Sequence, residues 1–316
     1  MPSIVVAGGY GMGLTMLSPR FPEPGETVTG GRFQSGPGGK GSNQAVAARR
    51  LGAEVELFTC VGADDFGEAG RELWRREGVG TQAVRTGSLP TMVGTILVDA
   101  TGENRIIVAP GALEELTVSD VAALEPILER ADACVVSLEI PTHVAVAVLE
   151  LARDAGALTI LNPAPAADLP PEVWPLVDVA TPNRLEAATL TGMRSEDDPR
   201  LLVDRLRTFF TGVVVLTLGS DGALVDDGYD RWRHPAPTPS RVVDTTGAGD
   251  AFTAALAVEL AEKRPLTSAV ATALAAGTHV VGRTGVIPAL PTREQLDAAL
   301  DGWRTSIDPA HEAVER

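Results

Sequence analysis

The segment DTTGAGDAF, residues 244–252, carries the most informative chemical pattern in the chain. Arg241, Val242 and Val243 form a short extended lead, and Gly247, Ala248 and Gly249 come just before an amphipathic run with Phe252, Leu256 and Leu260. Three small residues at a helix start leave backbone N–H groups uncovered, and the helix dipole adds partial positive charge there. Such a turn makes an anion hole for a phosphoryl group in transfer. Asp250 falls in the first helical turn beside it, where a carboxylate can accept the proton of an attacking hydroxyl. A carboxylate at that place also complements the helix dipole without any chemistry, and spacing alone leaves both roles open.

A second group stands in GPGGKGSN, residues 36–43. Lys40 and Lys263 are the only lysines, against 24 arginines, so a lysine kept in the tightest glycine cluster points to a geometric demand that a planar guanidinium cannot meet. Asn43 shares a helix face with Lys40 if a helix begins at Ser42. The cluster is not a P-loop: Gln34 stands where its first glycine belongs, and Gly41 follows the lysine where Ser or Thr is needed. GGYGMG, residues 8–13, likewise fails the dinucleotide spacing in every frame. Glu139 ends the strand-like run ACVVSLE, and open parallel sheets collect ligands at the carboxyl ends of their strands. Asn183 and Glu186, in TPNRLE, could orient a hydrated Mg²⁺ near phosphates, or could simply form an N-cap with its capping-box partner. TLGSDG, residues 217–222, reads either as a strand-end nucleotide contact or as a turn. The four histidines share no metal-ligand spacing, and there is no GxSxG elbow.

These residues need a scaffold, and the apolar pattern supplies one. Residues 3–9, 55–62, 133–139, 157–162, 177–183 and 212–219 are short β-branched runs, apolar throughout and closed by Gly, Asn or Pro or by an acidic residue. Strands apolar on both faces belong in a covered parallel sheet. Helical spacing over 43–51, 67–77, 142–155, 201–210 and 251–261 alternates with them, which predicts an α/β fold with an open, mostly parallel sheet flanked by helices. Residues 14–36 and 89–111 interrupt the rhythm, and the second reads as a hairpin turning at ATGEN. The expected division is therefore a core of residues 1–13, 37–88 and 112–316 and a small β lid of residues 14–36 and 89–111. The ending from Asp301 onward is expected to fray.

Composition narrows the function further. The 316 residues carry 26 basic against 42 acidic side chains, a formal charge of −16, which argues against nucleic acid as a partner. No apolar run approaches the roughly 18 residues of a membrane span and no basic residue precedes Arg20, so a soluble, cytoplasmic protein without a membrane partner is expected. Cys60 and Cys134 both lie in apolar strand-like runs and read as core filler.

Taken together, FPEPGETV, GGKGSNQAVAARRLGA, LNPAPA, TPNRLEA, TLGSDGA, DTTGAGDAF and RTGVIPALP resemble the ribokinase-like sugar kinases, the PfkB family, along nearly the whole chain. The GGKG form is closest to the ribokinase branch and less like the nucleoside kinases. The resemblance implies ATP-dependent phosphorylation of a primary hydroxyl on a small sugar. It makes Asp250 the base and Gly247, Ala248 and Gly249 the anion hole. Gly39, Lys40, Asn43 and Glu139 would hold the sugar, with Gly11 and Gly13 at two further sugar-binding positions. Asn183, Thr217, Gly219, Ser220, Gly222 and Gly249 would line the ATP site, with Glu186 positioning Mg²⁺ through water. K⁺ would lie beside the anion hole on Asp244, Thr246, Val280, Arg283 and Gly285. The lid resembles the β-clasp through which ribokinases form homodimers. A nucleoside kinase of the same fold and a non-catalytic sugar-binding relative are the alternatives.

Four positions depart from that pattern. The segment after the first strand usually carries an Asn and an Asp, the latter gripping vicinal sugar hydroxyls, and here reads Gly11 and Gly13. Hydrogen bonds to a charged group contribute about 1.5–3 kcal/mol each, so ribose itself loses much of its recognition. An acceptor without that diol, or bulkier there, is expected instead. Ala289 replaces a K⁺-contacting Ser, and Leu274 a polar neighbour of the adenine.

Overall fold

A computed structural model describes residues 1–306 of the protein, with side chains to Trp303. Thirteen strands form two sheets. The larger one is built from β1 (Ser3–Ala7), β4 (Glu54–Gly62), β5 (Val84–Gly87), β8 (Ala133–Ser137), β9 (Leu158–Asn162), β10 (Val179–Ala180), β11 (Val213–Thr217), β12 (Ala223–Asp226) and β13 (Arg231–His234). Its order is β13-β12-β11-β10-β9-β8-β1-β4-β5. The strands from β11 through β5 run parallel, and β12 and β13 add an antiparallel edge. Ile4, Val5, Val6 and Ala7 of β1 are all buried, as continuous apolar strands covered on both faces must be.

Helices cover both faces. They are α1 (Lys40–Arg50), α2 (Asp65–Glu77), the single turns α3 (Val118–Val121) and α4 (Glu125–Leu128), α5 (Thr142–Asp154), α6 (Arg184–Thr191), α7 (Pro199–Leu206), α8 (Ala248–Ala261), α9 (Leu266–Val281), the turn α10 (Val286–Ala289) and α11 (Arg293–Ser306). One apolar cluster lies under α1, α8 and α9 and a second under α5, α6 and α7. Helix α8 is buried from Asp250 to Glu259, so its sequence is apolar all round rather than on one stripe. Cys60 and Cys134 are buried free thiols on β4 and β8. Among the described residues no helix is long and apolar enough to cross a membrane.

The smaller sheet has the order β3-β2-β6-β7, from β2 (Gly11–Leu17), β3 (Arg32–Gly38), β6 (Met92–Val98) and β7 (Asn104–Ala109). The parallel pair β2/β6 joins the two interrupting segments. Strands β2 and β3 reach further inward than the pattern break at 14–36, so Gly11 and Gly13 stand in this sheet.

Other boundaries also moved. The expected strand over 177–183 shrinks to two residues, because Pro182 and the cap at Asn183 end it. Helix α1 starts at Lys40 rather than Ser42. Strands β5, β12 and β13 and helix α9 carry weaker patterns and were not separated from loops. The chain beyond Asp301 is helical to Ser306, and the rest of the expected frayed ending lies outside the described residues.

Candidate active site

Four strand ends of the large sheet and the first turns of α1 and α8 converge. The glycine cluster explains how α1 gets there. Gly39 has φ of 90°, and a Cβ on it would fall 2.6 Å from both Gly9 O and Tyr10 Cα. A Cβ on Gly41 would fall 2.5 Å from the Gly8 carbonyl carbon. The glycines thus let the helix start lie directly on the chain leaving β1, where Ser42 N–H donates to Gly9 O at 3.0 Å. In the same turn Lys40 N–H donates to Glu139 Oε2 at 2.6 Å, just beyond β8. Gly9 has no side chain because its Cβ would lie 2.6 Å from that carboxylate oxygen.

Asp250 is 7% exposed at the start of α8. Asn43 Nδ2 donates to its Oδ2 at 2.7 Å and Gln44 Nε2 to its Oδ1 at 3.2 Å. Gln44 is anchored in turn by Asn162 Oδ1 at 3.0 Å, and Asn162 Nδ2 donates to Thr181 O. The amide oxygens Asn43 Oδ1 and Gln44 Oε1 are buried without a protein partner. Burial pushes the Asp250 carboxyl above the usual carboxylate range, while the Lys40 charge and the two amide donors oppose it. Burial, with the charge of Asp250 added, raises Glu139 to about 7 against the opposing Lys40. Glu186 is raised mainly by burial and feels both Lys40 and Asp250. One ammonium therefore serves three buried carboxylates, which the sequence scatters from 139 to 250.

The turn expected to form an anion hole differs in one detail from expectation. Gly247 has φ of 83° and ends the turn, and Ala248 N–H donates back to Thr245 O at 3.2 Å. Ala248 therefore supplies no free amide. Among the described residues nothing accepts from the N–H groups of Gly247, Gly249 and Asp250. A Cβ on Gly249 would meet nothing within 4 Å, which leaves an open face at the positive end of the helix.

Around this centre the remaining residues fall into three groups. Asn183 and Glu186 form the capping box: Glu186 N–H donates to Asn183 Oδ1 at 2.9 Å, and Asn183 N–H and Nδ2 donate to Glu186 Oε2 and Oε1. Thr217 closes β11 and donates its N–H to Pro182 O. Gly219 and Gly222 take positive φ on the following turn, with Ser220 exposed between them. Asp244 and Val243 donate their N–H groups to Val281 O, which brings the 244–246 turn against 280–285. Asp244 Oδ1 accepts from Thr246 N–H, and Val280 O from Arg283 N–H. A concavity of about 970 Å³ lies between residues 236–241 and α9 and α11, and contains none of Lys40, Glu139 or Asp250.

Residues 1–293 match the family described as pfkB family carbohydrate kinase. The chain belongs to the pfkB family of carbohydrate kinases. It is 35% identical over 301 residues to a ribokinase from Bacillus subtilis, covering 95% of this chain and 100% of that one. A bifunctional ribokinase/ribose-5-phosphate isomerase A from Fructilactobacillus sanfranciscensis is also 35% identical, and there the match covers 94% of this chain but 56% of the relative. The solved Arabidopsis thaliana ribokinase complexed with ribose and ATP superposes with a TM-score of 0.87 at 28% identity, covering 95% and 98% of the two chains.

Within this family member, Gln44 and Asn162 are the site residues that sequence reasoning missed. Both lie in quoted motifs, GGKGSNQA and LNPAPA. The available signal was Gln44's place next to Asn43, but adjacent helical residues point about 100° apart and one face was credited. Gln44 reaches Asp250 because α1 packs its buried first turn against α8, and Asn162, at the end of β9, anchors Gln44 from the other side.

Proposed function

We propose that this chain is an ATP-dependent sugar kinase that moves the γ-phosphoryl group to a primary hydroxyl of a small sugar. The observation that carries the reading is the buried Asp250 carboxylate, held by two amides beside three unpaired N–H groups at one helix start. The acceptor hydroxyl binds between Lys40, Asn43 and Glu139 and gives its proton to Asp250 as the new bond forms. Asn43 Oδ1, buried and unpaired, accepts from the acceptor. The N–H groups of Gly247, Gly249 and Asp250 donate to the oxygens on which charge grows, in the manner of an oxyanion hole. Asn183, Thr217, Gly219, Ser220 and Gly222 line the way for the nucleotide.

Each oxygen of Glu186 accepts one bond from Asn183 and keeps a further lone pair, which suits water-mediated hold of Mg²⁺. The second Asp244 oxygen and carbonyls at Thr246, Val280, Arg283 and Gly285 suit K⁺. The cations supply positive charge at the phosphates and beside the anion hole. The small sheet acts as the lid over the acceptor. Its outer face, with Met16, Phe33 and Ile107 at 38%, 60% and 74% exposed, is the contact of a homodimer.

The test is ADP release from Mg-ATP with pentoses, hexoses, polyols and nucleosides, each with and without K⁺. Turnover that requires a sugar supports the reading, and turnover with nucleosides alone replaces it. Gln44 adds a prediction. Gln44→Leu removes one donor to a charged oxygen, worth about 1.5–3 kcal/mol, so the Asp250 proton is held more tightly. The acid limb of the kcat profile should move up by about one to two pH units. An unmoved limb would leave Gln44 a packing residue.

A further inference from the structure

Around Gly11 and Gly13 the smaller sheet turns a wall without hydrogen-bonding side chains toward the acceptor, with Thr15 and Gln34 the next residues out on that face. Chain direction shows which face this is. On the chain leaving β1, Tyr10 packs edge-on against Trp74, whereas the Cβ position of Gly9 lies 2.6 Å from Glu139 Oε2. The Gly9 Cβ position also lies 3.1 Å from Leu113 Cδ1 and that of Gly11 2.7 Å from Met92 Cε, and Leu113 and Met92 belong to one apolar cluster, so Gly11 and, two residues along β2, Gly13 face the Glu139 side. Register places Gly38 and Met92 opposite Gly11, and Gly36 and Gly94 opposite Gly13, so all of these share that face. The backbone groups of the sheet lie in its plane and are taken up by the ladder.

The two central glycines differ. A Cβ at Gly11 would lie 2.5 Å from Met92 O, 2.7 Å from Met92 Cε and 2.9 Å from Met92 Cβ, so the buried Met92 already fills that place. At Gly13 the nearest atoms would be Gly36 O at 3.5 Å and Ile96 Cδ1 at 3.7 Å, which is ordinary contact around usable space. A hydroxyl brought against this wall loses water and meets a thioether, the sec-butyl group of Ile96 or bare peptide.

We propose that Gly13, with Met92 standing over Gly11, is the specificity determinant of the acceptor site, and that the site takes a pentose-sized alcohol whose edge toward the small sheet is poor in hydroxyls. The inference rests on the kinase reading above and narrows its substrate. The orphaned Asn43 Oδ1 keeps the opposite side of the acceptor polar. Discrimination is thus by edge: hydroxyls are recognised beside Lys40 and Glu139 and disfavoured beside Gly13.

The test compares D-ribose with 2-deoxy-D-ribose by calorimetric binding and by ADP release from Mg-ATP, in the wild type, Gly13→Asp and Gly13→Asn. Wild type should use the deoxy sugar at least as well as ribose. Gly13→Asp should raise the ribose to deoxyribose ratio at least tenfold, and Gly13→Asn should raise it less. Gly11→Asn should lower the melting temperature, because the Met92 carbonyl oxygen lies 2.5 Å from the added Cβ. A tenfold wild-type preference for ribose overturns the proposal, as does an unchanged ratio in both Gly13 variants. Silence of all three proteins toward both pentoses in both readouts also overturns it, since the wall leaves room for either ring. Failure of the kinase reading is recognised separately, by absence of Asp250-dependent turnover on every alcohol of the wider panel.

Discussion

Asp250→Asn should lower kcat by roughly a hundredfold or more with nucleotide affinity little changed, because it removes the proton acceptor and keeps the shape. The geometry explains why the protein should otherwise tolerate it. The carboxylate now accepts from Asn43 Nδ2 at 2.7 Å and from Gln44 Nε2 at 3.2 Å. The new amide nitrogen cannot face two donors, but Asn43 can rotate its unpaired Oδ1 inward and accept from it. The buried site therefore stays hydrogen-bonded and the variant should melt near the wild-type temperature. Steady-state rates beside calorimetric ATP binding check this, and near-wild-type turnover would remove Asp250 from the chemistry.

Lys40→Met should be the next most damaging change, with kcat/KM down by about a hundredfold through loss of charged hydrogen bonds to the acceptor. Its distinctive consequence is on pH. Lys40 opposes burial at Asp250, Glu139 and Glu186 together. Without it all three carboxyls hold their protons to higher pH. With ionised Glu139 accepting from the acceptor, as proposed, binding should strengthen as pH rises through about 7 in the wild type, and in the variant that midpoint should move upward. Lys40→Arg should not rescue, since a planar, delocalised guanidinium does not present the compact point charge of an ammonium. Acceptor KM measured against pH for all three proteins decides it.

The sheet's central strands were legible because continuous runs such as SIVVA and ACVVS are apolar on both faces, and the DTTGAGDAF turn because small residues at a helix start leave amides bare, although the helix proves apolar all round rather than amphipathic. Strand β10 was overstated, since apolar character continues where Pro182 and Asn183 stop the ladder. Edge strand β13, RWRH, has no apolar run at all and owes its conformation to pairing with β12. In the site, Lys40 and Asp250 were legible one at a time, yet their shared environment was not. The glycines of GGKG bring the backbone of α1 against the chain leaving β1, and only their packing shows it. Ala248 looked like Gly247 and Gly249 in sequence, but the Thr245 carbonyl takes its amide. Gln44 reaches Asp250 across 206 residues, a contact set by helix packing.

The central claim is direct transfer from ATP to a primary hydroxyl at Asp250. Proton-coupled ³¹P spectra of a reaction with Mg-ATP and the best acceptor of the panel test it at the product. The account predicts a phosphomonoester signal split by two methylene protons, formed by the wild type and lacking with Asp250→Asn over the same period. A signal coupled to one proton, inorganic phosphate as the sole product, or equal formation by both proteins would contradict it.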